Sequence, residues 1–239
     1  GGSLTLTAPV IEQGGTLRAP FGTITLSADT RLTLSDGSVT SVSGYGLDVL
    51  YGYLDNGESW MVDNDEIDAP PEKQITLEAP EVEIAEGSVV DIRGGGDLYA
   101  NEHVPGPGGS HDVLDLSGMY AILPSRSSTT TSSGNQVWLS GGNGLPAGWY
   151  TLLPASYALL PGAYAVQMVP DSAGTASGTA SVLADGTVLM EGRMGNAYSG
   201  ASDSLSSVWR VMSGDVVRTY SEYNETTANT FFSSDAYKL

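Results

Sequence analysis

A short alternating pattern recurs three times in the first hundred residues, and this repeat constrains the fold more than any other feature. The copies are Leu-Thr-Leu-Thr-Ala at 4–8, Ile-Thr-Leu-Ser-Ala at 24–28 and Ile-Thr-Leu-Glu-Ala at 75–79. Matching tails follow the second and third copies, with Gly-Ser-Val at both 37–39 and 87–89. Apolar residues at every second position indicate strands with one buried face. Register-matched copies predict that these buried faces stack.

The repeat predicts an all-β fold with right-handed parallel β-helix coils over 1–44 and 75–100. In such coils, strands pair with those above and below at about 4.8 Å, and apolar side chains form inward ladders. The outward positions of the three copies are Thr5, Thr25 and Thr76, which carry no reactive chemistry. A β-sandwich of unrelated hairpins is the alternative, and it shares the alternation but does not require matched copies.

Residues 45–74 interrupt the coil pattern and are predicted to form an extra-helical excursion. Asn56-Gly57 lies between two short aromatic runs and predicts a tight hairpin turn. Tyr51, Tyr53 and Trp60 lie on this hairpin and are predicted as a ligand-binding platform, because flat rings stack on sugar faces. The alternative is that the rings cover the flank of the coils.

The chain is acidic, with 28 Asp and Glu against nine Lys and Arg and a net charge of −19. This charge would repel phosphate backbones and anionic lipids, so nucleic-acid binding and adsorption to membranes are not expected. No run of 18 apolar residues is present in the sequence, so membrane insertion is not expected either. Fifteen of the acidic residues lie between 48 and 102. Within that stretch a dense set of oxygen ligands is a candidate calcium site, although it lacks the glycine and final Glu of an EF-hand. These residues are Asp63, Asp65, Glu66 and Asp68. A solvated acidic loop is the alternative.

The second half, 101–239, is predicted to be an antiparallel β-rich domain that is either extra-helical or a cap on the coils. Asp185-Gly186 predicts one hairpin and Ser213-Gly214 another. Aromatic residues in its strands, Trp149 and Trp209 among them, are predicted to form its core. The chain has no cysteine, which excludes disulfides and thiolate chemistry and suits bacterial surface proteins that cross an envelope unfolded.

No residues form a recognisable catalytic group, so the chain is not expected to be an enzyme. Ser110, His111 and Asp112 are adjacent, and adjacent residues cannot form a hydrogen-bonded relay, which is assembled from distant segments. Abundant carboxylates keep open a β-helical enzyme that cleaves polysaccharides.

Several phrases resemble the filamentous-haemagglutinin family of large bacterial exoproteins. They include Asp-Leu-Tyr-Ala at 97–100, Tyr-Thr-Leu-Leu-Pro at 150–154 and Tyr-Ala-Leu-Leu-Pro at 157–161. The resemblance implies an internal piece of an adhesin that a Gram-negative bacterium exports by two-partner secretion, through an outer-membrane transporter, to the cell surface or medium. It further implies a structural and adhesive role, with a carbohydrate or a cell-surface receptor as partner. A stalk segment of a contact-dependent toxin-delivery protein is a second reading, and no catalytic residues are implied.

Overall fold

The computed structural model describes residues 2–62, 64–106, 111–125 and 134–234. The chain divides into two compact units. The first holds the residues up to Glu102 and those from Glu225 onward, and the second is His103–Asn224. The first boundary lies two residues from the predicted one at 100/101. The prediction that all of 101–239 belongs to the second domain is wrong for its end, because the segment after Asn224 returns to the first unit.

Strands dominate the first unit. They are β1 (Ser3–Gln13), β2 (Thr16–Arg18), β3 (Thr23–Leu34), β4 (Val39–Ser41), β5 (Asp48–Asp55), β6 (Ser59–Val62), β7 (Asp65–Ile67), β8 (Gln74–Glu78), β9 (Glu81–Ile84), β10 (Val89–Asp91) and β11 (Asp97–Val104). A short helix near the end of the chain, α2 (Ala228–Phe232), also belongs to this unit.

The repeat copies pair with one another in parallel and in register. Leu4 lies opposite Ile24, and Ile24 lies opposite Ile75. The tails follow the same rule, since Val39 of β4 pairs with both Thr16 of β2 and Val89 of β10. Two parallel sheets result, with strand orders β1-β3-β8 and β2-β4-β10, and β9 pairs with the end of β3. The all-β class is therefore confirmed, whereas the right-handed β-helix coil stays a prediction.

Burial follows the position of each strand in this stack. The apolar side chains of the middle strand β3, such as Leu32 and Leu34, are fully buried. Their partners on the outer strand β9, Val82 and Ile84, are exposed, with Ile84 at 55 %. The middle strand is covered on both sides by paired neighbours, while each outer strand is covered on one side.

The predicted excursion contains a hairpin. β5 and β6 are antiparallel and are joined by Asn56, Gly57 and Glu58. Asn56 and Gly57 have left-handed φ of 52° and 68°, and the Glu58 N–H donates to the Asp55 carbonyl at 3.1 Å. β7 continues the meander beside β6. However, β5 also pairs in parallel with β11, so the predicted excursion, residues 45–74, is joined by backbone pairing to a strand outside it. The strand order of this sheet is β19-β11-β5-β6-β7, where β19 is Glu222–Thr227.

The second unit is built on a seven-stranded antiparallel sheet that curves into a half-barrel. Its strands are β12 (Met119–Ile122), β13 (Asn135–Leu139), β14 (Gly148–Thr151), β15 (Tyr164–Met168), β16 (Ser181–Val182), β17 (Val188–Asn196) and β18 (Ser207–Ser213). The strand order is β12-β15-β18-β17-β13-β14, with β16 beside β17. Short 3-10 helices span Val113–Asp115 and Ala155–Leu159.

One predicted hairpin is present in the second unit and the other is not. β16 and β17 are antiparallel around Asp185-Gly186, and the Asp185 carboxylate accepts the Thr187 backbone N–H at 2.8 Å. The segment after Ser213 is instead the helix α1 (Gly214–Tyr220). Ser213 caps this helix, since its hydroxyl accepts the Val216 N–H at 3.3 Å, and capping replaces the predicted turn.

Candidate binding surfaces

Trp60, predicted to be part of a ligand platform, is a core residue of the first unit. Its ring has no exposed surface, and its Nε1–H donates to the Tyr51 carbonyl at 2.8 Å. The rings of Phe231 and Phe232 on α2 lie 5.5 and 5.4 Å from it between centroids. A fully covered ring cannot stack on a sugar, so the prediction for Trp60 is wrong.

The two tyrosines of the hairpin differ in exposure. Tyr51 is half-buried and packs against the cluster around Trp60. Tyr53 is 39 % exposed, and its hydroxyl donates to Asn64 Oδ1 at 3.3 Å. The predicted three-ring platform is thus reduced to one accessible ring, and ligand binding at Tyr53 stays a prediction.

The predicted calcium ligands do not converge in the part of the chain that is described. Asp63 lies outside the described residues. Asp65 and Glu66 are consecutive in the strand β7, where successive side chains point to opposite faces. The Glu66 carboxylate accepts the Ser59 hydroxyl at 2.7 Å. Because residues 2–62, 64–106, 111–125 and 134–234 hold no group of three acidic or histidine side chains placed for a metal, the site formed by Asp65, Glu66 and Asp68 is not supported.

A polar cluster around Tyr223 connects distant segments of the second unit, but its groups are used for structure. The Tyr223 hydroxyl donates to Asp112, which also accepts the Leu114 N–H at 2.8 Å as the cap of a 3-10 helix. Ser221 accepts the Val113 N–H at 2.9 Å. Burial and the hydrogen bond to Asp112 raise the pKa of Tyr223. His103 packs its ring edge-on against Tyr223, 5.9 Å between centroids, and Asp112 accepts the hydroxyl of that tyrosine.

Two tryptophans lie side by side on the outward face of the half-barrel. Trp138 on β13 is directly opposite Trp149 on β14, and on its other side Trp138 is opposite Arg193 on β17. Val137 and Leu139, the neighbours of Trp138 in sequence, belong to the buried core. Alternation along the strand therefore places Trp138 on the other face. We call the set of Trp138, Trp149, Arg193 and Gly195 the tryptophan face.

Trp149 lies along the sheet and does not stand up from it. A Cβ atom at Gly195 would be 2.7 and 2.8 Å from the Trp149 ring atoms Cζ3 and Cη2. Gly195 belongs to β17, and β13 lies between β17 and the Trp149 strand β14. The indole must therefore extend across β13, and the absence of a side chain at Gly195 makes room for it. Trp149 is 39 % exposed, so its predicted place in the core is wrong.

The positively charged guanidinium of Arg193 lies beside the ring of Trp138. Its guanidinium carbon is 5.2 Å from the centroid of the Trp138 ring, within the range of a cation–π interaction. The Arg193 Nε is buried and has no hydrogen-bond partner. Within the described ranges the ion pair is Arg93–Asp91, so Arg193 is not neutralised by a carboxylate there.

A small cavity adjoins the tryptophan face. It has a volume of about 160 Å³ and its walls carry several hydroxyl groups. Glu191 lines it, two residues before Arg193 and thus on the same face of β17. The other lining residues are Thr175, Ala176, Ser177, Thr179, Ser181, Leu189, Met190 and Val208.

A local pattern in the sequence predicts that Trp138 faces outward, although the composition of the chain does not. In Val-Trp-Leu at 137–139 the aromatic residue lies between two aliphatic ones, so in a half-buried strand either Trp138 or both neighbours must face solvent. Burying two aliphatic side chains is favoured over burying one indole that also needs a partner for its N–H.

The chain matches no protein-family model, no curated protein and no solved structure in the comparisons made. Among the helices of the described residues, none is long and apolar enough to cross a membrane.

Proposed function

We propose that this chain is a structural and adhesive segment of a secreted bacterial exoprotein, exported through an outer-membrane transporter and displayed at the cell surface. In this proposal the first unit is a stretch of right-handed parallel β-helix. The observation that carries the proposal is the register of the repeat, in which Leu4, Ile24 and Ile75 are successive partners in one parallel sheet.

Stacked parallel strands suit a stalk because each layer contacts only its neighbours. Length then comes from adding layers, and rigidity comes from continuous backbone pairing and apolar ladders. The exposed apolar residues of the outer strands, such as Ile84 and Val89, are the positions on which further coils of a longer exoprotein would stack.

The adhesive part of the proposal rests on the second unit. Its half-barrel presents an exposed aromatic surface, the tryptophan face, and large apolar rings on a surface commonly mark a binding site. A carbohydrate or a cell-surface receptor is the partner in this proposal. The charge distribution also supports placing adhesion in the second unit. Residues 103–224 carry eight acidic and four basic residues and are therefore less negative than the stretch 48–102, which contains 15 acidic residues.

Adhesion of the purified chain to cells tests this function. Beads coated with the folded chain are expected to attach to bacterial or epithelial cells in excess of beads coated with the heat-unfolded chain. No excess on any cell surface would contradict the adhesive role. Release of new reducing ends from polysaccharides incubated with the chain would contradict it in favour of an enzyme.

A further inference from the structure

We propose that the tryptophan face binds a neutral polysaccharide whose extended chain lies across strands β14, β13 and β17. The ligand class is a polymer of uncharged hexopyranoses with equatorial linkages, such as a glucan or a mannan. This inference names a ligand for the proposed adhesive role and depends on that role for its biological meaning, but the binding itself is a separate measurement.

The placement of the four tryptophans separates core from surface. Trp60 and Trp209 are almost completely buried, and their rings fill the interiors of the two units. Trp138 and Trp149 instead lie on the outward face of one sheet, next to each other across a strand pair. Trp138 is half-buried and Trp149 is 39 % exposed, so both indoles leave apolar surface in contact with water, which has a cost in free energy. A ligand that covers them would recover that free energy.

The orientation of Trp149 suits a sugar ring. An indole that lies along the sheet presents a flat apolar surface, and one face of a hexopyranose with equatorial hydroxyls presents C–H groups of similar extent. Since Gly195 has no side chain, nothing lifts the ring from the sheet. The ring is therefore held in its binding orientation before the ligand arrives, which lowers the entropy cost of binding.

The polar groups around the rings favour an uncharged ligand. Arg193 offers N–H donors, and Glu191 on the same face offers carboxylate acceptors. Gln136, opposite Gly195 and hence also on this face, offers both. Sugar hydroxyls donate and accept, so they satisfy all three. An anionic polymer would be attracted by Arg193 but repelled by Glu191 and by the net charge of −19.

The neighbouring cavity extends the same surface. Glu191 is part of its wall, and Thr175, Ser177, Thr179 and Ser181 add hydroxyl groups. A concave region that mixes apolar walls with a few hydroxyl groups is typical of ligand sites, in which the polar groups fix the orientation of the ligand. The path from Trp149 through Trp138 and Arg193 to Glu191 crosses adjacent strands, which suits an extended chain better than a branched one.

Native affinity electrophoresis of the full chain in gels that contain hydroxyethylcellulose or galactomannan tests the inference. The chain is expected to be retarded by at least one of these neutral polymers. Loss of stacking in Trp149→Ala or Trp138→Ala is expected to weaken binding about tenfold, the factor that corresponds to ~1.4 kcal/mol. Polygalacturonate is the charged comparison and is expected to cause no retardation.

Two glycine variants and a tyrosine variant sharpen the test. Gly195→Ala is expected to weaken binding because its Cβ displaces the Trp149 ring, whereas Gly148→Ala on β14 has no atom within 4 Å and is expected to bind as the wild type does. Tyr45→Ala is the matched aromatic control, since Tyr45 is 73 % exposed and also lies under an arginine, Arg93. Circular dichroism checks that each variant is folded.

Three results would overturn the inference. They are no retardation by either neutral polymer, retardation of Trp149→Ala equal to that of the wild type, and retardation by polygalacturonate alone. Failure of coated beads to attach to cells while glucan binding persists would instead count against the adhesive function and leave the binding site standing.

Discussion

The indole of Trp60 meets the ring of Phe231 edge to face, with 5.5 Å between the ring centroids, although one residue lies in an early hairpin and the other near the end of the chain. Phe232 packs on the same indole at 5.4 Å, and Phe21, Leu54 and Leu98 complete the buried cluster. The first unit is therefore closed by residues that come after the whole of the second unit in sequence.

Removing Phe231 is expected to destabilise the first unit. Phe231→Ala should lower the free energy of unfolding by about 3–5 kcal/mol, because it deletes a buried ring and leaves a cavity beside Trp60. Urea denaturation followed by tryptophan fluorescence measures the change. Tyr45→Ala, at an exposed ring of the same unit, should change it by less than about 0.5 kcal/mol. Equal effects of the two substitutions would contradict the packing described.

The register of the parallel strands can be tested by a designed disulfide in this cysteine-free chain. Thr5 and Thr25 are paired residues on neighbouring strands, a separation of about 5 Å that a disulfide can span. The variant Thr5→Cys with Thr25→Cys is expected to form an intramolecular bond on mild oxidation, detected by thiol titration and intact mass. Thr5→Cys with Ser27→Cys is offset by two residues and should stay reduced. Reversed behaviour of the pairs would refute the register.

Tyr223 is expected to make the second unit sensitive to alkali. Because burial and the bond to Asp112 raise its pKa, the tyrosine ionises in the unfolded chain near pH 10 but stays protonated in the folded one. Its contribution to stability is thus complete below that pH and decreases as pH rises above it. Tyr223→Phe should lower the free energy of unfolding by about 1–2 kcal/mol at pH 7 and make the alkaline decline shallower.

Thermal melts between pH 7 and 11 measure this decline. Tyr120→Phe, at a half-buried tyrosine of the same unit, is the control and should keep the wild-type slope. A slope unchanged in Tyr223→Phe would show that Tyr223 does not carry the effect.

Asp91 is expected to titrate unusually low because of its neighbour. The Arg93 side chain donates to both Asp91 carboxylate oxygens at 2.9 Å and lowers the pKa of Asp91 to about 2. The stabilisation that this pair adds is present above the unfolded pKa and is lost as pH falls through about 2. Arg93→Gln should move the pKa back toward 3.8, as followed by NMR titration of the carboxyl carbon. Arg31→Gln, on another exposed arginine, should leave it unchanged.

Prediction from sequence succeeded where one short segment contains the whole signal. Asn56-Gly57 and Asp185-Gly186 lie in the expected hairpins, and Asn56, Gly57 and Gly186 adopt the left-handed backbone that their residue types tolerate. It failed at Ser213, where the same residue types serve as a helix cap. A serine before a glycine suits either a turn or a helix start, so the next residues of the chain and their packing decide between the two.

The sequence contains a weak signal for the parallel pairing of β5 with β11. Gly44 follows the second repeat copy and Gly94 follows the third, and Asp48-Val49-Leu50 and Asp97-Leu98-Tyr99 come after these glycines at similar distances. The aromatic hairpin after Leu50 obscures this match, because it interrupts the repeat soon after the pair begins.

By itself, the sequence determined that the chain is mostly β, which residues of its three copies pair, and where two tight turns lie. These properties result from alternation, repetition and local backbone preference, which act over a few residues. Only the tertiary structure decided that Trp60 is buried and Trp149 is exposed. Trp60 is covered because α2 returns to it from the end of the chain, and Trp149 lies open because its strand presents it on the outer face above Gly195. The burial of one ring and the exposure of the other depend on residues far away in sequence.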